Sequence, residues 1–277
     1  MIAHTLGNPF DVEAIMDFAN RNHLWVIEDC CDAVVSKYNG RMVGTFGHIS
    51  TTSFYPAHHI TMGEGGSVLT NISKLFVIAK SFRDWGRDCY CDPGKDNTCG
   101  RRFTGQHGDL TLGYDHKFVY SHIGYNLKVT DMQAAVGLAQ LDKLDWFISK
   151  RKANFIRINE VFRQYNHFFI LPKVLPGADP AWFGYPITVK DDSPFSRNEM
   201  IQELNEKNIM TRLIFAGNMV KQPAFKSVEY KIIGNLHISD YIMNNTFFLG
   251  VYPGISEEMI EYIDQTISNF INRKLNT

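Results

Sequence analysis

Two adjacent histidines, His58 and His59, stand in TSFYPAHHITMGEGGSVLT, between an apolar strand-like run and the turn-rich Gly63-Glu64-Gly65-Gly66. Imidazole takes up and gives back a proton near neutral pH, so a histidine at such a junction is a candidate acid–base group. The competing reading is a loop histidine bonded to backbone carbonyls. A second group is formed by Cys89, Cys91 and Cys99, three thiols within eleven residues of a turn-rich stretch, CYCDPGKDNTC. Thiols this crowded are metal ligands or buried reduced cysteines, and the polar, glycine-bearing surroundings argue against burial. The C-x-C pair departs from the C-x2-C spacing usual in structural zinc sites, which argues mildly against zinc. The third candidate is Asp29, which ends the run LWVIED. Ligands of open parallel sheets bind beyond the carboxyl ends of the strands. A carboxylate there can keep a pyridinium nitrogen protonated, or it can cap a turn.

The elements that must position these groups follow from periodicity. His4-Thr5-Leu6-Gly7-Asn8-Pro9 reads as a turn leaving a strand. Val12, Ile15, Met16 and Phe18 recur at helical spacing behind a capping Asp11, and Leu24-Trp25-Val26-Ile27 reads as a strand. Helix then strand is half of a βαβ unit, so a parallel sheet with helices on its faces is expected. Strands are predicted at 49–54 and 67–70, with a helix over 72–84. A long helix that bends once is predicted from about Thr130 to Phe168. Beyond it come strands near 183–189 and 209–214 and helices near 194–206, 238–245 and 256–270. Residues 86–128 carry seven glycines and little periodicity, as functional loops do. The expected division is 1–168, holding the cofactor-binding part and the loop 86–128, and 169–277, a small α/β domain.

Composition narrows the function classes. Formal net charge is -1 with Lys and Arg dispersed, which is not the footprint of a nucleic-acid binder. No apolar run reaches the length of a membrane span, and the start of the chain does not read as a secretory signal. A cytoplasmic, reducing setting is expected, in which the five cysteines are thiols or ligands rather than bridges.

Four stretches carry a resemblance: VIEDCCDA at 26–33, SFYPAHHITMGEGG at 53–66, GYNLKVTDMQAAVGLAQL at 124–141 and GVYPGISEEMIEYI at 250–263. Together they resemble the DegT/DnrJ/EryC1/StrS family of sugar aminotransferases and dehydratases. The resemblance implies the aspartate-aminotransferase-like fold of PLP-dependent transferases of fold type I: a three-layer α/β/α large domain and a small C-terminal α/β domain. It also implies that a stretch preceding the match to Met1, with the loop that cradles the cofactor phosphate, is missing. In most of the family a lysine that binds pyridoxal phosphate covalently follows the Ser-Phe pair by four residues. That position is His58 here, and no lysine occurs between Lys37 and Lys74. Non-covalently held pyridoxamine phosphate, with His58 moving a proton at the cofactor C4′ carbon, is the implied arrangement.

Two dehydratase branches share this histidine, one acting on GDP-4-keto-6-deoxy-mannose without a metal, the other on CDP-4-keto-6-deoxy-D-glucose with a 2Fe–2S cluster. Cys31, Cys89, Cys91 and Cys99, spaced C-x57-C-x-C-x7-C, resemble the cluster pattern of the CDP-linked branch. Four thiolates suit such a cluster. Cys30 is left without a role, and His59 is the second choice for the base. By the same resemblance Asp29 faces the pyridine nitrogen, Ser53 binds the cofactor phosphate, and Asn126 reaches the phosphate of the neighbouring subunit of a homodimer. Lys128 stands where the family often has arginine. Arg212, Asn218 and Gln222 match the substrate-side loop. The implied function is C3 dehydration of a nucleotide-linked 4-keto-6-deoxy sugar for O-antigen 3,6-dideoxyhexoses, with electrons from a flavin- and iron–sulfur-containing reductase. A nucleotide-sugar aminotransferase, the GDP-linked dehydratase and an inactive structural fragment are the alternatives.

Overall fold

The computed structural model describes residues 1–92 and 94–276. Strand β1 (Ile2–Ala3) leads through a 3-10 turn into α1 (Val12–Arg21), whose first turn is capped by the Asp11 carboxylate accepting the Ala14 N–H at 3.0 Å. Strand β2 (Ile27–Asp29) follows and pairs parallel with β1, completing a β–α–β crossover. Here the structure corrects the expected strand at 24–27. The Leu24 N–H bonds the Ala19 carbonyl and His23 takes a positive φ of 54°, so residues 22–25 close the helix and leave Leu24 and Trp25 exposed.

A hairpin of β3 (Lys37–Tyr38) and β4 (Arg41–Met42) precedes β5 (Ile49–Ser53), which lies parallel to β2, and β6 (Gly66–Leu69), antiparallel to β5. Next come α2 (Ser73–Arg83), the irregular stretch containing the cysteines, α3 (Asp131–Leu141) and α4 (Leu144–Arg163). The single bent helix expected over 130–168 is therefore two helices, separated at Asp142–Lys143. Then β7 (Phe169–Ile170), β8 (Ala178–Asp179), β9 (Gly184–Val189), α5 (Arg197–Glu206), β10 (Thr211–Leu213), α6 (His237–Asn245), β11 (Thr246–Gly250) and α7 (Glu257–Leu275) complete the chain.

Among the described residues there are three sheets: β1-β2-β5-β6, the antiparallel β10-β11-β9-β7, and β4-β3-β8, in which β8 returns to the N-terminal half. The larger apolar core gathers Phe155, Ile158 and Phe162 of α4, Tyr185 and Ile187 of β9 and Ile267, Phe270 and Ile271 of α7. Each such side chain contributes about 1.5–3 kcal/mol on burial. A smaller cluster of Val12, Cys30, Ala33, Tyr38 and Val43 sits beneath the parallel strands and gives Cys30 a packing role. By contrast α2 has no buried residue, and Phe76, Val77, Phe82, Met132 and Leu138 of α2 and α3 face solvent. No helix among the described residues is long and apolar enough to cross a membrane.

Candidate active site and cysteine loop

The carboxyl ends of β2 and β5 bring the first group of candidates together. Asp29 is half-buried, and its Oδ1 accepts the Cys31 N–H at 3.1 Å and the Thr51 hydroxyl at 3.4 Å. Those two bonds fix the plane of the carboxylate, and its second oxygen takes no hydrogen bond among the described residues. The neighbour Glu28 points the other way and is fully buried. It accepts the N–H groups of Gly44, Phe46 and Gly47 at 2.7, 2.8 and 2.5 Å and meets His4 Nε2 at 3.1 Å. Burial pushes this carboxyl up, but the bonds from His4 and the three amides outweigh it and hold it below its usual value. The strand end is thus pinned from beneath.

His58 lies against this strand end. Its Nδ1 is 2.6 Å from the Cys31 carbonyl oxygen and 3.5 Å from Asp32 Oδ1. A carbonyl only accepts, so Nδ1 carries a hydrogen, and in the neutral ring the lone pair is on Nε2. Phe183 stacks on the ring at 5.2 Å, and Tyr55 meets it edge-on at 6.1 Å. Arg151, a buried arginine of α4, donates to the His58 carbonyl at 3.3 Å and to the carbonyls of Trp182 and Val251. Burial lowers that guanidinium to about 10, which leaves it charged at neutral pH. The Asp32 carboxyl is pushed up by burial, against the opposing pull of the Leu6 N–H and of His58. His59 differs from its neighbour. It is buried, bonds the Ala181 carbonyl, and is lowered to about 3 by burial and by the Arg151 charge, so it is a neutral packing histidine.

The remaining candidates divide. Ser53 ends β5 and its hydroxyl accepts the Tyr55 N–H at 3.2 Å. Arg212 of β10, together with His58, Arg151 and Phe183, lines a cavity of about 1140 Å³ between the 56–59 loop, α4 and the C-terminal strands β10 and β11. Asn218 and Gln222 do not line it: Asn218 is buried, donates to Asp240 at 2.8 Å and accepts the Val220 N–H at 3.3 Å, while Gln222 donates to the Ala216 carbonyl at 2.7 Å. Both amides are occupied in shaping their own loop. Asn126 is exposed, bridged through its backbone to Asp84, and Lys128 bonds Asp84 at 2.7 Å over the Trp85 ring.

Cys89, Cys91 and Cys99 converge on a small pocket that Arg102, His116 and Lys117 also line. The Thr98 hydroxyl donates to Cys91 Sγ at 3.0 Å and holds that thiol down at about 7. Cys99 is held below its usual value chiefly by His116. Two thiols biased to thiolate, with cations beside them, fit an anionic metal–thiolate centre. Cys31 stands apart, at the end of β2, with its Sγ 4.0 Å from the Thr51 hydroxyl and its thiol pushed up to about 12 by burial and by Asp29. The structure therefore brings Cys89, Cys91 and Cys99 to one pocket and leaves Cys31 beside Asp29. Asp32, Arg151, Phe183 and His116 were not among the candidates. Asp32 alone had a visible signal, as a second acid three residues beyond the strand-end Asp29.

Known proteins resemble this chain in sequence and fold. The model of the DegT/DnrJ/EryC1/StrS aminotransferase family matches residues 1–268. The lipopolysaccharide biosynthesis protein RfbH of Salmonella typhimurium is 54% identical over 270 residues, covering 98% of this chain and 62% of the relative. The dTDP-4-dehydro-2,6-dideoxy-D-glucose 3-dehydratase of Saccharopolyspora spinosa is 50% identical over 271 residues, covering 98% of this chain and 58% of the relative. The chain thus spans about three fifths of the length of these curated relatives. Among solved structures, the E. coli GDP-4-keto-6-deoxy-D-mannose-3-dehydratase with bound hydrated PLP superposes with a TM-score of 0.80 at 26% identity, covering 95% of this chain and 65% of that one. The architecture is the three-layer α/β/α fold of PLP-dependent aminotransferases of fold type I, with its C-terminal subdomain.

Proposed function

We propose that this chain, which belongs to the DegT/DnrJ/EryC1/StrS aminotransferase family, is part of a sugar-nucleotide 3-dehydratase. In full-length form the enzyme removes the C3 hydroxyl of CDP-4-keto-6-deoxy-D-glucose, using pyridoxamine phosphate and a 2Fe–2S cluster. The observation that carries this reading is His58. A histidine stands where most of the family has its cofactor lysine, its Nδ1–H is committed to the Cys31 carbonyl, and its Nε2 takes no hydrogen bond among the described residues. A group so held takes a proton and returns it, and cannot hold the cofactor covalently.

The donor set around it fits the cofactor: Asp29 offers an unbonded carboxylate oxygen to a pyridine nitrogen, and Ser53 offers a hydroxyl to a phosphate. Bound there, pyridoxamine phosphate supplies an amine for the sugar ketone and an electron sink. His58 moves the proton at C4′, Asp32 and the Cys31 carbonyl keep its ring aligned, and Phe183 shields one face from water. Arg212 reaches the sugar-nucleotide side of the cavity. Asn126 is proposed to act across a homodimer, for which the exposed apolar residues of α2 and α3 provide a surface. Cys31, Cys89, Cys91 and Cys99 would hold the cluster, which when bound passes single electrons from a flavin- and iron–sulfur-containing reductase. A cytoplasmic setting accompanies this reading.

The test is to supply full-length protein, pyridoxamine phosphate and reductase with the CDP-, dTDP- and GDP-linked 4-keto-6-deoxy sugars and to weigh the products. Brown protein with about two irons per chain and a 3-deoxy sugar from the CDP substrate is expected. An amino sugar formed from glutamate would contradict dehydration, and colourless or zinc-containing protein would contradict the cluster.

A further inference from the structure

The loop that follows β10 carries an aromatic side chain that the proposed function does not use. Phe215 takes a positive φ of 42°, a left-handed backbone conformation that bulky residues seldom adopt. The turn is fixed locally by the Phe215 N–H on the Leu213 carbonyl at 2.7 Å and the Gly217 N–H on the Ile214 carbonyl at 3.0 Å. It is held from behind by Gln222, which bonds the Ala216 carbonyl, and by Asn218, which bonds Asp240. A Cβ at Gly217 would meet Met243 Cγ at 2.6 Å, so the loop packs tightly on α6. Backbone strain that persists under so many contacts is characteristic of ligand sites. The ring that this backbone presents is 59% exposed and lines the same cavity as His58 and Arg212. On one side it meets Phe248 at 6.0 Å, Phe248 meets Phe183 at 6.1 Å, and Phe183 stacks on His58 at 5.2 Å. A row of rings thus runs along the cavity wall from His58 to Phe215. Arg212 is exposed in that cavity, with Nη1 on the Thr211 carbonyl at 2.8 Å and no hydrogen bond to Nε or Nη2 among the described residues.

We infer that Phe215 is the platform on which the heterocyclic base of the sugar nucleotide stacks, with Arg212 pairing to its diphosphate. This rests on the reading of the chain as part of a sugar-nucleotide enzyme, and it names the part of the cavity that takes the nucleotide. A sugar nucleotide is an elongated molecule, with the reacting C4 carbon at one end, the base at the other and two phosphates in the middle. The cavity supplies a group for each part: His58 for the reacting carbon, a guanidinium for the phosphates, and an exposed ring three aromatic contacts away from His58 for the base. The fork of N–H donors on a guanidinium matches phosphate oxygens. Stacking uses the π-face that every base has, so Phe215 supplies affinity without choosing among bases.

The measurement uses full-length protein with CDP, dTDP and GDP free of their sugars, so that neither cofactor nor turnover is needed. Proton NMR follows the base protons, and calorimetry gives the dissociation constants. In the wild type the base protons should move upfield on binding, as protons held over an aromatic face do. That movement should be lost in Phe215→Leu, with affinity for all three nucleotides lowered about ten- to hundredfold. Phe215→Tyr should retain both. Phe215→Gly covers the case in which leucine disturbs the loop. Glycine adopts a positive φ readily, so this variant should be at least as stable as the wild type and yet bind as poorly as Phe215→Leu. Arg212→Gln should weaken CDP while the upfield shift at saturation persists. Unchanged affinity in Phe215→Leu, or an upfield shift that survives there, overturns the proposal, since the base then lies elsewhere. A loss confined to one nucleotide also overturns it, because Phe215 would then be reading the base. A wild type that binds none of the three overturns this proposal together with the functional reading, whereas binding with unmoved base protons overturns this one alone.

Discussion

Around His58 the polar side chains are held by main chain brought from far along the sequence. Around the cysteines they are held by one another. Cys31 and Ala181 lend carbonyls to His58 and His59, Arg151 spans to Trp182 and Val251, and three amides of the 44–47 turn close on Glu28. Across 86–128, by contrast, Arg102 pairs with Asp115 and Asp96, Lys117 with Asp96 and His116 with Asp88. Only Gly86, His116 and Val119 are buried among the described residues of that stretch. Exposed ion pairs stabilise by about 0–1 kcal/mol each. The strand-end site is therefore built by contacts across the fold, while the cysteine loop is held chiefly by weak pairs among its own residues.

The largest expected break in this comparison is at His58. His58→Asn should leave the fold intact, since Asn can still donate to the Cys31 carbonyl, yet lower C4′ hydrogen exchange from pyridoxamine phosphate by about 10²–10⁴-fold. Exchange at the wild-type rate, measured with the 4-keto sugar present, would move the base to another group.

The thiols sharpen the contrast next. Cys91 is held at about 7 and Cys31 is pushed up to about 12, so in metal-free protein at neutral pH about half of the first is thiolate and almost none of the second. Cys91 should be alkylated by iodoacetamide roughly a hundredfold faster than Cys31, the thiolate advantage being partly offset by its lower nucleophilicity. Peptide mapping over a time course checks this. Equal rates would mean that the two environments do not differ as drawn.

A smaller effect is expected at Glu28. Its folded carboxyl lies below the ordinary value of 4.5, so the stability it contributes is fully present above that pH and is lost as pH falls through the depressed value. Glu28→Gln, which leaves His4 and three amides facing a neutral group, should cost about 3 kcal/mol at pH 7. It should also flatten the pH dependence of unfolding below pH 4.5. Denaturant midpoints across that range measure both.

Much of the architecture was legible because periodicity reports one face of one element. The strands near 49–53 and 184–189 and the helices near 73–83 and 257–275 are such cases. The strand expected at Leu24–Ile27 was misread because apolar residue type does not reveal that 22–25 close a helix in a left-handed turn. Nor does it reveal the break between α3 and α4, since both helices keep apolar spacing through Leu141 and Leu144. At the site, His58 and Asp29 stood out as candidates by residue type near strand ends and by the family resemblance together. Arg151, Phe183 and His116 could not, because their significance lies in contacts 93, 125 and 17 residues away, with His58 for the first two and Cys99 for the last. Asn218 and Gln222 show the reverse, where matching a pattern of residues gave no knowledge of which way the amides turn.

The division of labour between the two regions is tested most directly by Cys89→Ser in full-length enzyme, with C4′ isotope exchange and reductase-dependent 3-deoxy sugar measured in one sample. A hydroxyl is a poorer iron ligand than a thiolate. Product should fall to near zero while exchange at the His58 site survives at a substantial fraction of wild type. Equal loss of both in folded protein, or retention of both, would contradict the account.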